Sequence, residues 1–157
     1  SINWNKLIKK GNKTIICFLS CTGGLVASLI TRISGSSDIF NGSIVTYSNK
    51  IKNQELNVEN KTLEKFGAVS TEVVNEMLEG VIKKFDANFA IAISGIAGPN
   101  GGNTSKPIGT VVVGISNSKN NIINIYNFNG TREEVQIQAA KTSLREILKF
   151  IKNTLDK

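Results

Sequence analysis

The chain has 157 residues, of which 40% are hydrophobic and 20% charged, and its 19 Lys and Arg against 12 Asp and Glu leave a net charge of +7. That length builds one compact domain, residues 1–157, and the balance excludes a disordered tail or a fibrous protein. The basic charge favours an anionic partner, but aromatics are only 6% and the lysines are scattered, so a phosphorylated small molecule is a better expectation than nucleic acid.

Ile2 to Lys10 has the apolar spacing of a short helix (Ile2, Leu7, Ile8), stopped by Gly11-Asn12. Thr14 to Leu19 is β-branched and apolar, the mark of a strand covered on both faces. The lysines at 6, 9, 10 and 13 ahead of this run imitate an export signal, but Gly23-Gly24 and two threonines interrupt it and Phe18 stands where a lipidation signal has leucine. The expectation is a cytoplasmic protein, with no membrane segment and with Cys17 and Cys21 reduced.

After Ser20-Cys21-Thr22-Gly23-Gly24, Leu25 to Ile33 reads as a buried helix closed by Gly35. A strand, tight turn and helix in this order put backbone N–H groups and a side chain at a helix N-terminus. Gly42 to Tyr47 is a second strand, and Ser48 caps a helix to Leu56 that carries Lys50, Lys52 and Asn53. Ser70-Thr71-Glu72-Val73 opens a helix to about Phe85.

Phe89 to Ser94 is a third buried strand. It runs into a glycine loop, Gly95-Ile96-Ala97-Gly98-Pro99-Asn100-Gly101-Gly102, that reaches about Ile108. Thr110 to Ser116 and Ile122 to Phe128 form a hairpin, and Thr131 caps a long C-terminal helix. The sum is an α/β fold, a three-layer α/β/α domain with one mixed β-sheet.

A hydroxyl at the end of a buried strand is placed for attack, with neighbouring N–H groups to hold an oxyanion, although the same residues also serve as an ordinary helix cap. The chain has no histidine, so a Ser-His-Asp triad is excluded, and Cys17 and Cys21 have no ligand cluster to make a zinc site. Lysine remains as a base, provided burial lowers its pKa from about 10.4. Lys52 is the candidate, with Tyr47 and Asn49 near enough in sequence to orient it. The glycine loop has neither the triphosphate-binding nor the dinucleotide-binding spacing. Arg132 sits in the first turn of the last helix, against the helix dipole, which hints at anion recognition.

Taken in order, Ser20-Cys21-Thr22-Gly23-Gly24, Gly35-Ser36-Ser37, Val45-Thr46-Tyr47-Ser48-Asn49 with Lys52, Gly67-Ala68-Val69-Ser70, Ser94 to Pro99 with Gly101-Gly102, Lys106-Pro107-Ile108-Gly109-Thr110, and Gly130 with Arg132 resemble the CinA C-terminal domain over nearly the whole chain. Active members of that family are nicotinamide mononucleotide deamidases. The resemblance implies hydrolysis of the nicotinamide carboxamide to nicotinic acid mononucleotide and ammonia, a step of pyridine nucleotide salvage, with no metal or cofactor.

It makes Ser20 the nucleophile and Lys52 the base, with Tyr47 and Ser37 in support. Thr22, Gly23, Ser37, Asn49, Ser94, Gly95, Gly98 and Arg132 would contact the substrate, and homo-oligomerisation is implied too. The glycine loop and helix N-termini suit a 5′-phosphate on physical grounds. One departure stands out. Where the family has Glu-Ser-Cys-Thr-Gly-Gly, the first position here is Leu19. This keeps a second reading in view, a weak or inactive relative that binds a nucleotide or a protein and acts in regulation.

Overall fold

The computed structural model describes residues 14–155. The expected helix at Ile2 to Lys10 lies outside them. Five strands, β1 (Ile15–Leu19), β2 (Phe40–Val45), β3 (Phe89–Gly95), β4 (Thr110–Ser116) and β5 (Asn121–Asn127), form one sheet in the order β2-β1-β3-β4-β5. β1 runs parallel to both β2 and β3, whereas β3–β4 and β4–β5 are antiparallel. The helices are α1 (Leu25–Thr31), α2 (Asn49–Leu56), α3 (Asn60–Phe66), α4 (Thr71–Phe85) and α5 (Arg132–Leu155), with a 3₁₀ turn at Ser36–Asp38. This is the expected α/β architecture around a mixed sheet.

Alternation along the strands sorts the core into two layers. Ile15, Cys17, Leu19, Ile91, Ile93, Val111 and Val113 pack against α1 and α5 through Val26, Ile30, Val135 and Ala139. Ile16, Phe18, Ala90, Ala92 and Val112 face the other way, onto Leu56, Leu63, Val73, Val74, Met77 and Leu78 of α2, α3 and α4. Small residues let that second layer close. A Cβ at Gly114 would stand 2.6 Å from Val74 Cγ1, and one at Gly80 would stand 2.0 Å from the Leu56 carbonyl oxygen. α4 therefore sets Val74 and Leu78 directly on the β4 backbone and meets the end of α2 at backbone distance.

The caps follow the sequence. Ser48 Oγ accepts from Ile51 N at 3.2 Å, and Ser70 Oγ accepts from Val73 N at 3.2 Å. Some boundaries differ from expectation. β2 lies two residues earlier than Gly42 to Tyr47, because Thr46 and Tyr47 leave the ladder and Thr46 N still bonds Leu19 O at 3.0 Å. α1 is not a buried helix to Ile33. It ends at Thr31 and buries only Val26 and Ile30. The Ser20 to Gly24 hydroxyls do not cap it either, since the N-cap is Gly24. α3 was not expected at all: in seven residues it buries only Thr62 and Leu63, too few for a readable period.

From β1 the chain crosses to β2 on one side and, through α2 to α4, back to β3 on the other. The connections thus diverge at the carboxyl ends of β1 and β3, the position where open α/β sheets leave a crevice. Ser20 follows β1, and Ser94 and Gly95 end β3.

Candidate active site

That crevice is a pocket of about 270 Å³, lined by Ser20, Tyr47, Asn49, Lys52, Ser94, Gly95, Gly98 and Arg132 among others. Ser20 leaves β1 with its N–H donating to Ile93 O at 3.1 Å, and the chain then turns at once, Gly23 N donating to Ser20 O at 3.0 Å. Gly23 takes φ +57° to make this turn. Ser20 is 7% exposed and lines the pocket.

Lys52 comes from α2, 32 residues on, and is 1% exposed. Its Nζ donates to Thr46 O at 2.8 Å and Tyr47 O at 3.2 Å, and lies 3.4 Å from Ser20 Oγ. Both close partners are main-chain carbonyls. Among the described residues the ion pairs are Lys61–Glu59 and Lys84–Glu55, both on the surface, so no carboxylate offsets the charge on Lys52. Burial lowers its pKa from the ordinary 10.5, against a smaller opposing effect of Cys21. A neutral lysine amine has two N–H donors and one lone pair. Two carbonyls can take the donors, which leaves the lone pair for the Ser20 hydroxyl.

Cys21 also lines the pocket, but burial pushes its thiol up to about 11 against the pull of Lys52 and Arg132. It is a thiol at neutral pH, not a nucleophile. Cys17 is fully buried in the β1 core and its thiol is raised further for the same reason. Both are free.

Arg132 opens α5 and crosses the pocket mouth. Its Nη1 donates to Gly98 O at 2.7 Å and its Nη2 to Tyr47 Oη at 2.9 Å. One guanidinium thus ties the glycine loop to the segment before α2. Glu133 and Glu134 share its helical turn and complement the helix dipole that Arg132 opposes. The loop is braced as well: Asn103 Oδ1 accepts from Ser105 N at 3.0 Å and Lys106 N at 2.8 Å, Lys106 Nζ donates to Phe66 O at 2.5 Å, and Gly109 N donates to Ile96 O at 2.7 Å.

Not every expected residue reaches the pocket. Tyr47, 61% exposed, meets Lys52 through its carbonyl, and its hydroxyl accepts from Arg132. Asn49 lines the pocket but makes no contact that orients Lys52. Thr22 and Gly23 belong to the turn behind Ser20, and Thr22 Oγ1 is buried without a hydrogen-bond partner. Ser37 is an exposed residue of the 3₁₀ turn before β2. Since β2 is parallel to β1, that turn lies at the far end of the strands from Ser20, on the order of 15–20 Å away. Sequence reasoning gave no site role to Ala68, Val69 and Asn100, which also line the pocket. Ala68 and Val69 precede the Ser70 cap and carry no polar group to flag them.

Leu19 is fully buried in the layer formed with α1 and α5. Lys52 lies on the other side of the sheet, with α2. The departure from the family's glutamate therefore falls behind the strand that presents Ser20.

The model of the CinA C-terminal domain family matches residues 2–151. The chain belongs to that family. Within it, the chain is 51% identical over 140 residues to a CinA-like protein of Prochlorococcus marinus (strain MIT 9312), covering 88% of this chain and 33% of that protein. It thus spans about a third of the length of the CinA-like relatives. It is 44% identical over 155 residues to the nicotinamide-nucleotide amidohydrolase PncC of Enterobacter agglomerans, covering 98% of this chain and 94% of that protein. Solved CinA-superfamily structures share the fold. One from Klebsiella pneumoniae 700603 has a TM-score of 0.90 at 29% identity, over 94% of this chain and 92% of its own. The competence/damage inducible protein CihA from Agrobacterium tumefaciens has 0.86 at 32% identity, over 97% of each.

Proposed function

We propose that the chain is an amidohydrolase that cleaves the carboxamide of a nicotinamide nucleotide, with Ser20 as nucleophile and Lys52 as general base. The observation that carries this reading is the buried Lys52 amine, held by two carbonyls and with no carboxylate paired to it among the described residues, 3.4 Å from Ser20 Oγ. The whole-length similarity to a protein named nicotinamide-nucleotide amidohydrolase supplies the substrate class.

Neutral Lys52 takes the Ser20 proton as Oγ attacks the amide carbon, and N–H groups of the turn after Ser20 hold the oxyanion. Lys52 then returns that proton to the leaving nitrogen, ammonia departs, and an ester on Ser20 remains. Water, deprotonated by Lys52, attacks the ester; the acid leaves and Ser20 recovers its proton. The 3.4 Å separation is long for a hydrogen bond and suits a site that tightens on substrate.

Arg132 places a positive charge at the pocket mouth, which fits a phosphorylated substrate, with Ser94 and Gly95 along the wall. The test is ammonia release from nicotinamide mononucleotide by the purified protein, with Ser20→Ala as control. Turnover that the control abolishes is the expected result. Equal release by both proteins, or none by either, would overturn the proposal.

A further inference from the structure

The two edges of the sheet are finished differently. At β2 the ladder to β1 is irregular, since Ile15 pairs with Phe40 and Ile16 with Gly42, leaving Asn41 as a bulge. A bulge is one of the devices that stop an edge from pairing further. β5 has none. Its register with β4 is unbroken from Asn121 to Asn127, and its sequence, Asn-Ile-Ile-Asn-Ile-Tyr-Asn, holds no proline and no charge in a chain of net charge +7. Ile122 and Ile125 are 42% and 57% exposed on its two faces.

The order of residues is also self-complementary. When β5 is laid antiparallel on a second β5 about Asn124, Asn124 meets Asn124, Asn121 meets Asn127, Ile122 meets Tyr126 and Ile123 meets Ile125. Amide faces amide and apolar faces apolar at every step, and opposed residues share a face of the sheet. The charges just outside the strand match too. In this register Lys119, exposed in the β4–β5 turn, falls opposite Asn129 of the other copy. Beside that point Glu134 Oε1 accepts from Thr131 N at 3.2 Å. The two-fold axis repeats this placement, a lysine set toward the end that carries Glu134, at both ends of the paired strands.

We propose that β5 is a self-association edge: a second copy of this chain adds to it antiparallel, centred on Asn124, so that one sheet runs through both molecules. The expected homo-oligomer is thereby given a surface, one that lies two strands away from the pocket between β1 and β3.

The test is the solution mass of the full chain across a concentration series, with exposed Asn124 changed in two ways. Wild type should reach the mass of two copies. Asn124→Lys, which opposes two lysines across the axis, should have the mass of one copy with an unchanged circular dichroism spectrum. Asn124→Cys should link to its own copy under mild oxidation. Ile122→Cys, roughly 14 Å from its copy in this register, should not.

A wild type that stays single at every concentration would overturn the proposal. So would an oligomer that survives Asn124→Lys, which would move the interface elsewhere, for instance to the groove of Leu25, Leu29 and Ile137 between α1 and α5. An oligomer in which Asn124→Cys does not cross-link would overturn the register.

Discussion

Leu19 and Ser20 are neighbours in the chain and point into different layers of the molecule, Leu19 toward α1 and α5 and Ser20 toward Lys52. A carboxylate at position 19 would enter the apolar layer that holds Ile30, Val135 and Ala139, on the other side of the sheet from Lys52. Leu19→Glu is therefore expected to leave turnover no higher than wild type and to destabilise the fold by about 2–4 kcal/mol at neutral pH. Burial raises the folded-state pKa of such a glutamate. The loss should shrink as pH falls and the group protonates, and grow as pH rises through the folded pKa. Denaturant midpoints of both proteins at several pH values measure this.

In the proposed dyad Ser20 and Lys52 share one proton, and on that reading their removal should not add. Ser20→Ala and Lys52→Met are each expected to lower kcat by at least about a thousandfold, and the double variant to fall little further. Modest losses that multiply would separate the two residues. Lys52→Met keeps most of the buried volume, so its melting point controls for folding.

The depressed pKa of Lys52 sets the pH behaviour. Activity should rise with pH along a limb that titrates below 10.5 and reports the free amine. Between the folded pKa and the ordinary value the unfolded chain binds the extra proton, so stability relative to Lys52→Met should also rise with pH in that window. A stability rise that sets in at the pH of the kinetic midpoint, read from denaturant titrations and rate profiles, assigns the limb to Lys52.

Tyr47 separates two roles by atom. Its carbonyl holds Lys52, and its hydroxyl accepts from Arg132. Tyr47→Phe removes only the second. It is expected to raise KM several-fold with kcat and the lysine limb unchanged, while Arg132→Ala, which also frees Gly98 O, raises KM further.

α2 is held where it is by the close approach of Gly80 to Leu56. Gly80→Ala places a methyl carbon against a backbone oxygen, and α2 must shift to admit it. A destabilisation of about 1–3 kcal/mol is expected, together with a fall in kcat well beyond that of an alanine substitution on the exposed side of α4. Thermal melts and single-turnover rates separate the two effects.

The strands were legible because β1, β3 and β4 are covered on both faces and spell unbroken apolar runs. The helices capped by Ser48 and Ser70 were legible because the caps use side-chain oxygens. α3 was not, since two buried residues in seven make no period. Within the site, Ser20 and Lys52 could be named from residue type and family pattern, and Arg132 from its conflict with the helix dipole. Ser37 could not be judged without knowing that β2 runs parallel to β1, which puts it at the other end of the sheet. The roles of Thr46 and Tyr47 toward Lys52 were hidden for another reason: they are played by carbonyls, which every residue has.

That last feature bears on how this site drifts over evolutionary time. A base whose anchors were side chains would be lost with any mutation at those anchors, and its descendants would have to change in pairs. Here the grip on Lys52 belongs to the path of the backbone through residues 46 and 47. Substitutions at those two positions leave it in place as long as the chain follows the same course, so the lysine's surroundings can outlast the letters that spell them.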